Sequence, residues 1–214
     1  MMVAAIVVAA GQGARFGGLK QFADLDNESV ARRSVRGARS VASKVVLVVP
    51  VDYDGTGEGA DVVVTGGASR AASVRSGLVE CADADIVVVH DAARPLASPE
   101  LFHLVVDAVK NGASAAVPGL AITDTVKRVR RAGESTVVDA TVTREDLVTV
   151  QTPQAFRRAT LEQAHAASSD ATDDAALVEA LDEVVVVVPG EQQNIKITSA
   201  SDLHRAIETI RGGQ

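Results

Sequence analysis

VAAIVVAAGQGARFGGLKQ, residues 3–21, begins as an unbroken apolar run and ends in a loop with glycines at 11, 13, 17 and 18 and cations at Arg15 and Lys20. A run apolar at every position reads as a strand buried on both faces, as in parallel α/β sheets. Glycines let backbone amides approach an anion closely, and the two cations place charge where phosphate oxygens would lie. The loop is not a P-loop, because no Gly-Lys-Ser/Thr follows, and its glycines do not give GxGxxG. Nor does an acidic residue end a second strand about 20 residues on, where ribose recognition in the dinucleotide fold expects one. The plain alternative is a turn with solvated cations.

Further Val/Ile/Ala runs follow at 45–49, 62–64, 86–89, 115–117 and 184–188, each predicted to be buried on both faces. Between them, 28–42, 70–81, 100–110, 157–167, 173–181 and 201–210 carry apolar residues at three-to-four spacing, the pattern of helices covering a sheet. Ser69, Ser98 before Pro99, Thr172 and Ser199 are the expected helix starts, since their side-chain oxygens can accept a first-turn amide hydrogen. Strand-helix alternation predicts a three-layer α/β fold with a mostly parallel sheet. No internal repeat and no Pro/Ser-rich linker interrupts the 214 residues, so one domain over 1–214 is expected.

One region breaks the alternation. From Ile122 to about Thr143 the sequence ITDTVKRVRRAGESTVVDATVT is polar and β-branched, with a glycine-containing turn near 131–134. It reads as a protruding β-hairpin arm too polar for the core. Two strands alone are marginal in water, so a partner subunit is the expected support.

Composition narrows the function. A net charge of -7 argues against nucleic acid or an anionic membrane as the main partner. The run 1–10 is half the length of a bilayer span, and no basic segment precedes it as in a secretory signal. The single Cys81 cannot form an internal disulfide and fits a reducing cytoplasm.

Three further segments carry candidate chemistry. HDAARP, residues 90–95, follows an apolar strand, so Asp91 and Arg94 emerge at its carboxyl end, the edge where open α/β sheets bind ligands. A carboxylate there can hold Mg²⁺ together with substrate phosphates; the alternative is a loop salt bridge between the two. His90 reads as structural. TGGASRAASV, residues 65–74, sets Gly66 and Gly67 before a helix whose first turns hold Ser73, where backbone groups can meet a base or ribose edge. NIKIT, residues 194–198, puts Lys196 in an expected short strand, where an ammonium is costly unless it faces an anion or snorkels to water. His103, His165 and His204 lack metal-ligand spacing and read as surface or packing residues.

Taken in order, AAGQGARF, Lys20-Gln21, GGASRAASV, HDAARP, ITDTVKR, QTPQAF, ATDDA and NIKIT resemble the 2-C-methyl-D-erythritol 4-phosphate cytidylyltransferases of the non-mevalonate isoprenoid pathway, over nearly the whole chain. The resemblance implies a Rossmann-like nucleotidyltransferase fold and an Mg²⁺-dependent enzyme that joins CTP to methylerythritol 4-phosphate and releases pyrophosphate. It implies that Ala9, Ala10, Gly11, Gly13, Gly67, Ala68 and Ser73 surround the cytidine and the start of the triphosphate. Asp91 would hold Mg²⁺ and Arg94 would lie beside the nucleotide. Arg15 and Lys20 resemble the family's two transition-state cations. Arg144 and Lys196 resemble the pair that positions the acceptor, with Thr125 and Thr172 as further contacts. In the family the arm reaches over the other subunit, so a homodimer is implied, with Thr125 and Arg144 serving the partner's site.

The sequence also departs from the family pattern. The loop between Arg15 and Lys20 is shorter than usual, Leu19 stands where Pro is common, Ala68 replaces an acidic or polar residue, and Thr143 replaces Asp before Arg144. Three alternatives stay open: a cytidylyltransferase for another polyol phosphate such as ribitol 5-phosphate, a nicotinamide-binding oxidoreductase, and a non-catalytic nucleotide binder.

Overall fold

The first strand, β1 (Val3–Val8), feeds two cores at once: Ala5 and Val7 point to one face of the sheet, Ala4 and Ile6 to the other. The structure, a computed structural model, describes residues 1–212 apart from 12, 14, 15 and 168–170. After β1 come a one-turn 3₁₀ helix (Lys20–Phe22), α1 (Val30–Ala38), β2 (Lys44–Val49), β3 (Val62–Thr65), α2 (Arg70–Val79), β4 (Ile86–Asp91), α3 (Pro99–Lys110) and β5 (Ala115–Ala121). An arm of β6 (Val126–Ala132) and β7 (Ser135–Val142) precedes β8 (Val148–Val150), β9 (Gln154–Arg157), α4 (Arg158–Ala167), α5 (Asp174–Glu179), β10 (Val185–Pro189) and α6 (Ala200–Gly212).

The strand order is β10-β5-β9-β4-β1-β2-β3, with β8 on β5. β1, β2, β3 and β4 run parallel, as do β5 and β10, while β9 runs antiparallel to both β4 and β5. From β1 the chain leaves toward β2 on one side, and β4 lies on the other. The crevice at such a reversal, beyond the carboxyl ends of the strands, is where open α/β sheets receive ligands.

α1 and α3 pack on the Ala5/Val7 face, and α2, α4 and α5 on the Ala4/Ile6 face, giving the expected three layers. With few aromatic residues, Val and Ala fill most of the interior, and Phe102 and Phe156 are the largest fully buried side chains. Each fully buried Val or Ile contributes roughly 1.5–3 kcal/mol relative to exposure. α6 departs from the expectation that every helix covers the sheet. Its Ala206 joins Leu25, Val30 and Ile197 in a separate small cluster.

Helix starts follow the capping chemistry in part. Ser69 and Ser98 accept from Ala72 N and Leu101 N as expected. Ser199 precedes α6, its hydroxyl facing Asp202 N at 3.4 Å while Asp202 accepts from Ser199 N. At α5 the cap is Asp173, not Thr172, because the Asp173 carboxylate takes Ala176 N at 3.0 Å. Ser29 caps α1, and Ser40 closes it four residues before the expected end by donating its hydroxyl to Gly37 O.

Two strands expected to be buried on both faces are not. β3 and β10 are the sheet's outer strands and meet water: β3 at alternate positions, with Val63 37% exposed, and β10 at the adjacent Val186 and Val187, 36% and 52% exposed. Residues 194–198 form no strand; the segment is anchored instead by Ile197 N donating to Ala93 O at 2.8 Å. The arm forms as expected, turning at Gly133, whose φ is +61°. Its two strands make their own sheet, and most of their side chains are exposed.

Candidate active site

Beyond the carboxyl ends of β1 and β4 lies a cleft of about 490 Å³, within the range of a small-molecule site. Three loops and one distant segment build its walls. The β1 loop contributes Ala9, Ala10 and Gly11, with Lys20 and Gln21 from its far end; the start of α2 contributes Gly67 to Arg70 and Ser73; β4 contributes Asp91 and the loop after it Ala93; and Lys196 enters from the C-terminal part of the chain.

The glycine loop is held by a residue that carries no role in the sequence reading. Buried Gln21 donates its side-chain amide to both Ala9 O, at 2.6 Å, and Gly11 O, at 2.8 Å. Beside it, Phe22 stacks on Tyr53 with ring centroids 3.5 Å apart, so the turn carrying Lys20 is fixed on both sides. Gly13 has φ +63°, and a Cβ there would lie 1.9 Å from Gly18 O, so this return of the loop requires glycine. Gly66 allows the second loop to approach the first, since its Cβ would fall 2.3 Å from Ala10 Cβ. Ser73 then ties that loop to its helix, accepting from Gly67 N and donating to Ser69 O. The cleft therefore meets the start of a ten-residue capped helix, where backbone N–H groups favour an anion.

Asp91 is the last residue of β4 and, among the described residues, the only carboxylate lining the cleft. Its Oδ1 accepts from Arg70 Nε at 3.2 Å and its Oδ2 from Lys196 Nζ at 2.6 Å. Burial opposes its charge, but the two cations outweigh that and hold the carboxyl well below the usual carboxylate range. The loop salt bridge with Arg94 is not what forms. Arg94 does not line the cleft; its guanidinium donates to Asn194 O at 2.7 Å, bracing the segment that delivers Lys196. Lys196 is partly exposed and faces an anion, the condition under which an ammonium is tolerated there.

His90 fixes the end of β4 from behind. Arg94 O can only accept, so Nε2 donates to it, and Nδ1 accepts from the Thr152 hydroxyl. That hydroxyl in turn accepts from Asp91 N at 3.0 Å. Burial pushes the imidazole pKa down to about 4, so it is neutral near pH 7. The structural reading of His90 holds, and Thr152 joins it.

Of the residues singled out in the sequence, Ala9, Ala10, Gly11, Lys20, Gly67, Ala68, Ser73, Asp91 and Lys196 meet at this cleft. Gly13 belongs to the same loop without lining it, and Arg15 lies outside the described residues. Thr172 is exposed in the turn before α5 and does not line the cleft. Thr125 and Arg144 stand at the base of the arm, outside their own chain's cleft, where Arg144 donates to Thr123 O. Arg70, inside the GGASRAASV motif, is a lining residue missed in the sequence; its partners Asp91 and Asp174 are 21 and 104 residues away, and no local pattern marks such pairs.

A carboxylate such as Asp91 beside this cleft suits Mg²⁺, which takes one or two carboxylates and completes its shell with phosphates and water. Among the described residues no group of three or more His, Cys, Asp or Glu side chains forms a self-sufficient metal site.

A glycine loop, a capped helix start, a carboxylate and two lysines at the switch point of a mostly parallel sheet are the arrangement of an α/β fold of the nucleotidyltransferase kind. The comparisons with known proteins agree. The chain belongs to the 2-C-methyl-D-erythritol 4-phosphate cytidylyltransferase family, whose profile matches residues 3–211. It is 45% identical to the bifunctional enzyme IspD/IspF of Anaeromyxobacter sp. (strain Fw109-5), covering 95% of this chain and 56% of that protein. It is 43% identical to the 2-C-methyl-D-erythritol 4-phosphate cytidylyltransferase of Saccharopolyspora erythraea, covering 95% of this chain and 96% of that one. The crystal structure of the cytidylyltransferase of the same name from Thermus thermophilus superposes with a TM-score of 0.84 at 35% identity, over 99% of this chain and 100% of that one. The chain spans about half the length of the bifunctional relatives it matches.

Proposed function

We propose that the protein transfers the cytidylyl group of CTP to 2-C-methyl-D-erythritol 4-phosphate, giving 4-diphosphocytidyl-2-C-methyl-D-erythritol and pyrophosphate. The observation that carries this reading is the convergence of Lys20, Lys196, Arg70 and Asp91 on one cleft beside the glycine loop and the start of α2, in a chain of this family.

An oxygen of the acceptor's phosphate forms a bond to the α-phosphorus of CTP as the bond to the β-phosphate oxygen breaks, and pyrophosphate leaves with that electron pair. No general base is needed, since a phosphate monoester with a second pKa near ~6 is already largely dianionic at pH 7. The barrier is the approach of two anions, so the chain's work is positioning and charge neutralisation. Ala9, Ala10 and Gly11, with Gly13 shaping the loop, and Gly67, Ala68 and Ser73 offer backbone groups and one hydroxyl to the nucleotide. Lys20, with Arg15, neutralises charge that grows on the α-phosphate oxygens. Lys196 receives the acceptor phosphate. Family likeness alone supports Thr172 as a further acceptor contact, since it lies outside the cleft lining. A partner subunit's arm supplies Thr125 and Arg144. Arg94 serves the site indirectly, through Asn194. Asp91 is the residue that would hold Mg²⁺, which when bound would neutralise triphosphate charge. The free, buried thiol of Cys81, raised to about 11 by burial, fits a cytoplasmic setting. No helix among the described residues is long and apolar enough to cross a membrane.

The test is pyrophosphate release from CTP with Mg²⁺ and methylerythritol 4-phosphate. Lys20→Ala should lower kcat at least ~10²-fold, the scale of one lost oxyanion contact, while CTP still binds. Near-wild-type turnover in that variant would remove Lys20 from the mechanism, and an inactive wild type would sink the reading itself.

A further inference from the structure

Behind Asp91 runs a chain of polar and charged groups to which the proposed reaction gives no step. Arg70 gives Nε to Asp91 Oδ1 at 3.2 Å and Nη1 to Asp174 Oδ2 at 2.6 Å. Asp174 Oδ1 meets His165 Nε2 at 2.9 Å, and since a carboxylate only accepts, Nε2 carries the hydrogen. His165 and Asp174 have side chains 2% and 1% exposed. An ionised carboxylate so deeply buried is tolerated only when paired and hydrogen-bonded, and here one oxygen takes the guanidinium and the other the imidazole N–H.

The geometry has a consequence at Asp91. A guanidinium facing a carboxylate tends to grip both oxygens through two parallel N–H groups. Arg70 does not: its Nη1 is committed to Asp174, its Nη2 is buried without a partner among the described residues, and Asp91 receives one long bond from Nε. Asp91 Oδ2 is left to Lys196, whose side chain is 43% exposed and can exchange with another cation.

We propose that Asp174 and His165 are positioning residues of the nucleotide site: they restrain Arg70 so that it holds one oxygen of Asp91 and leaves the other exchangeable. This rests on the reading of the cleft as a nucleotide–metal site. Without the Asp174 charge, the Nε/Nη2 edge of Arg70 is free to close on both Asp91 oxygens and compete with an incoming cation. Without the His165 donor, Asp174 loses the bond that fixes its orientation.

The test has a ligand-free and a ligand-bound half. Crystal structures of nucleotide-free wild type and Asp174→Asn should show Arg70 on one oxygen of Asp91 in the first and on both in the second; an unchanged single bond in Asp174→Asn overturns the proposal. Calorimetric titration of CTP at graded Mg²⁺, with no acceptor, should show the half-saturating Mg²⁺ raised about tenfold in Asp174→Asn and His165→Leu, the scale of losing a residue that supports a metal ligand. His165→Gln, which keeps an N–H donor at similar reach, should restore the wild-type requirement. Equal losses in His165→Leu and His165→Gln would make the histidine a packing residue only and overturn its role. If His165→Leu does not fold, folded Asp174→Asn carries the test, and a wild-type Mg²⁺ requirement there overturns the proposal. Should wild type bind CTP no better with Mg²⁺ than without, the nucleotide–metal reading fails, and the crystal comparison still decides whether Asp174 restrains Arg70.

Discussion

His90 shows how one side chain ties stability to the site. Its ring holds Arg94 O on one side and, through Thr152, the Asp91 backbone on the other, so the residue that fixes the end of β4 also fixes the carboxylate. Burial pushes its pKa from 6.5 down to about 4. The sign follows from proton binding: between these values the unfolded chain takes up a proton that the folded one refuses, so stability falls as pH falls through that window. The shift amounts to about 3 kcal/mol when fully expressed. Asp91, held below the usual carboxylate range, acts in the same direction only at lower pH. The melting temperature should therefore drop between pH 6.5 and 4.5, and His90→Gln, although less stable at pH 7, should show a flatter drop; an equally steep fall in that variant would remove His90 as the cause. The sequence marks His90 as structural by its place in an apolar run. It holds no such sign for His165, because a histidine on a helix looks alike whether its partner is water or a carboxylate brought in by the next helix.

Among the elements, the arm is the most legible and the least supported by its own chain. Polar, β-branched residues around a Gly133 turn point to a hairpin, and β6 and β7 form one, with Val129 opposite Val138 and the two 54% and 62% exposed. Apolar cross-strand pairs left in water on an isolated hairpin favour a covering surface. If arms exchange between subunits, two inactive variants should complement. Mixed Lys20→Ala and Arg144→Ala subunits should regain activity in hybrids that join an intact cation loop to an intact arm, and confirmed hybrids with no recovery would contradict the exchange. β8 and β9 are the elements the sequence hides. Each is three or four residues long, and β9 carries buried Gln154, which donates to Asp173 at 2.9 Å, where an apolar residue would have signalled a strand.

At the scale of the whole molecule, periodicity reveals layers and conceals edges. Apolar runs give the same signal in β1, at the centre, and in β10, at the rim, because Val is as favourable on a half-exposed strand as on a buried one. The site was legible where it lies on single loops, at Gly11, Lys20, Ser73 and Asp91, and illegible where it depends on pairing across the fold, at Arg70 and Asp174; Gln21, which closes its own loop onto Ala9 O and Gly11 O, carries no distinguishing residue type. Under the proposed function, this protein differs from one acting on another polyol phosphate on its acceptor side, at Lys196 and the arm. The most direct measurement is pyrophosphate release from CTP and Mg²⁺ with methylerythritol 4-phosphate and ribitol 5-phosphate side by side. Release with the first alone is the expected result; release with the second alone would keep the nucleotide cleft and contradict the roles given to Thr125, Arg144 and Lys196.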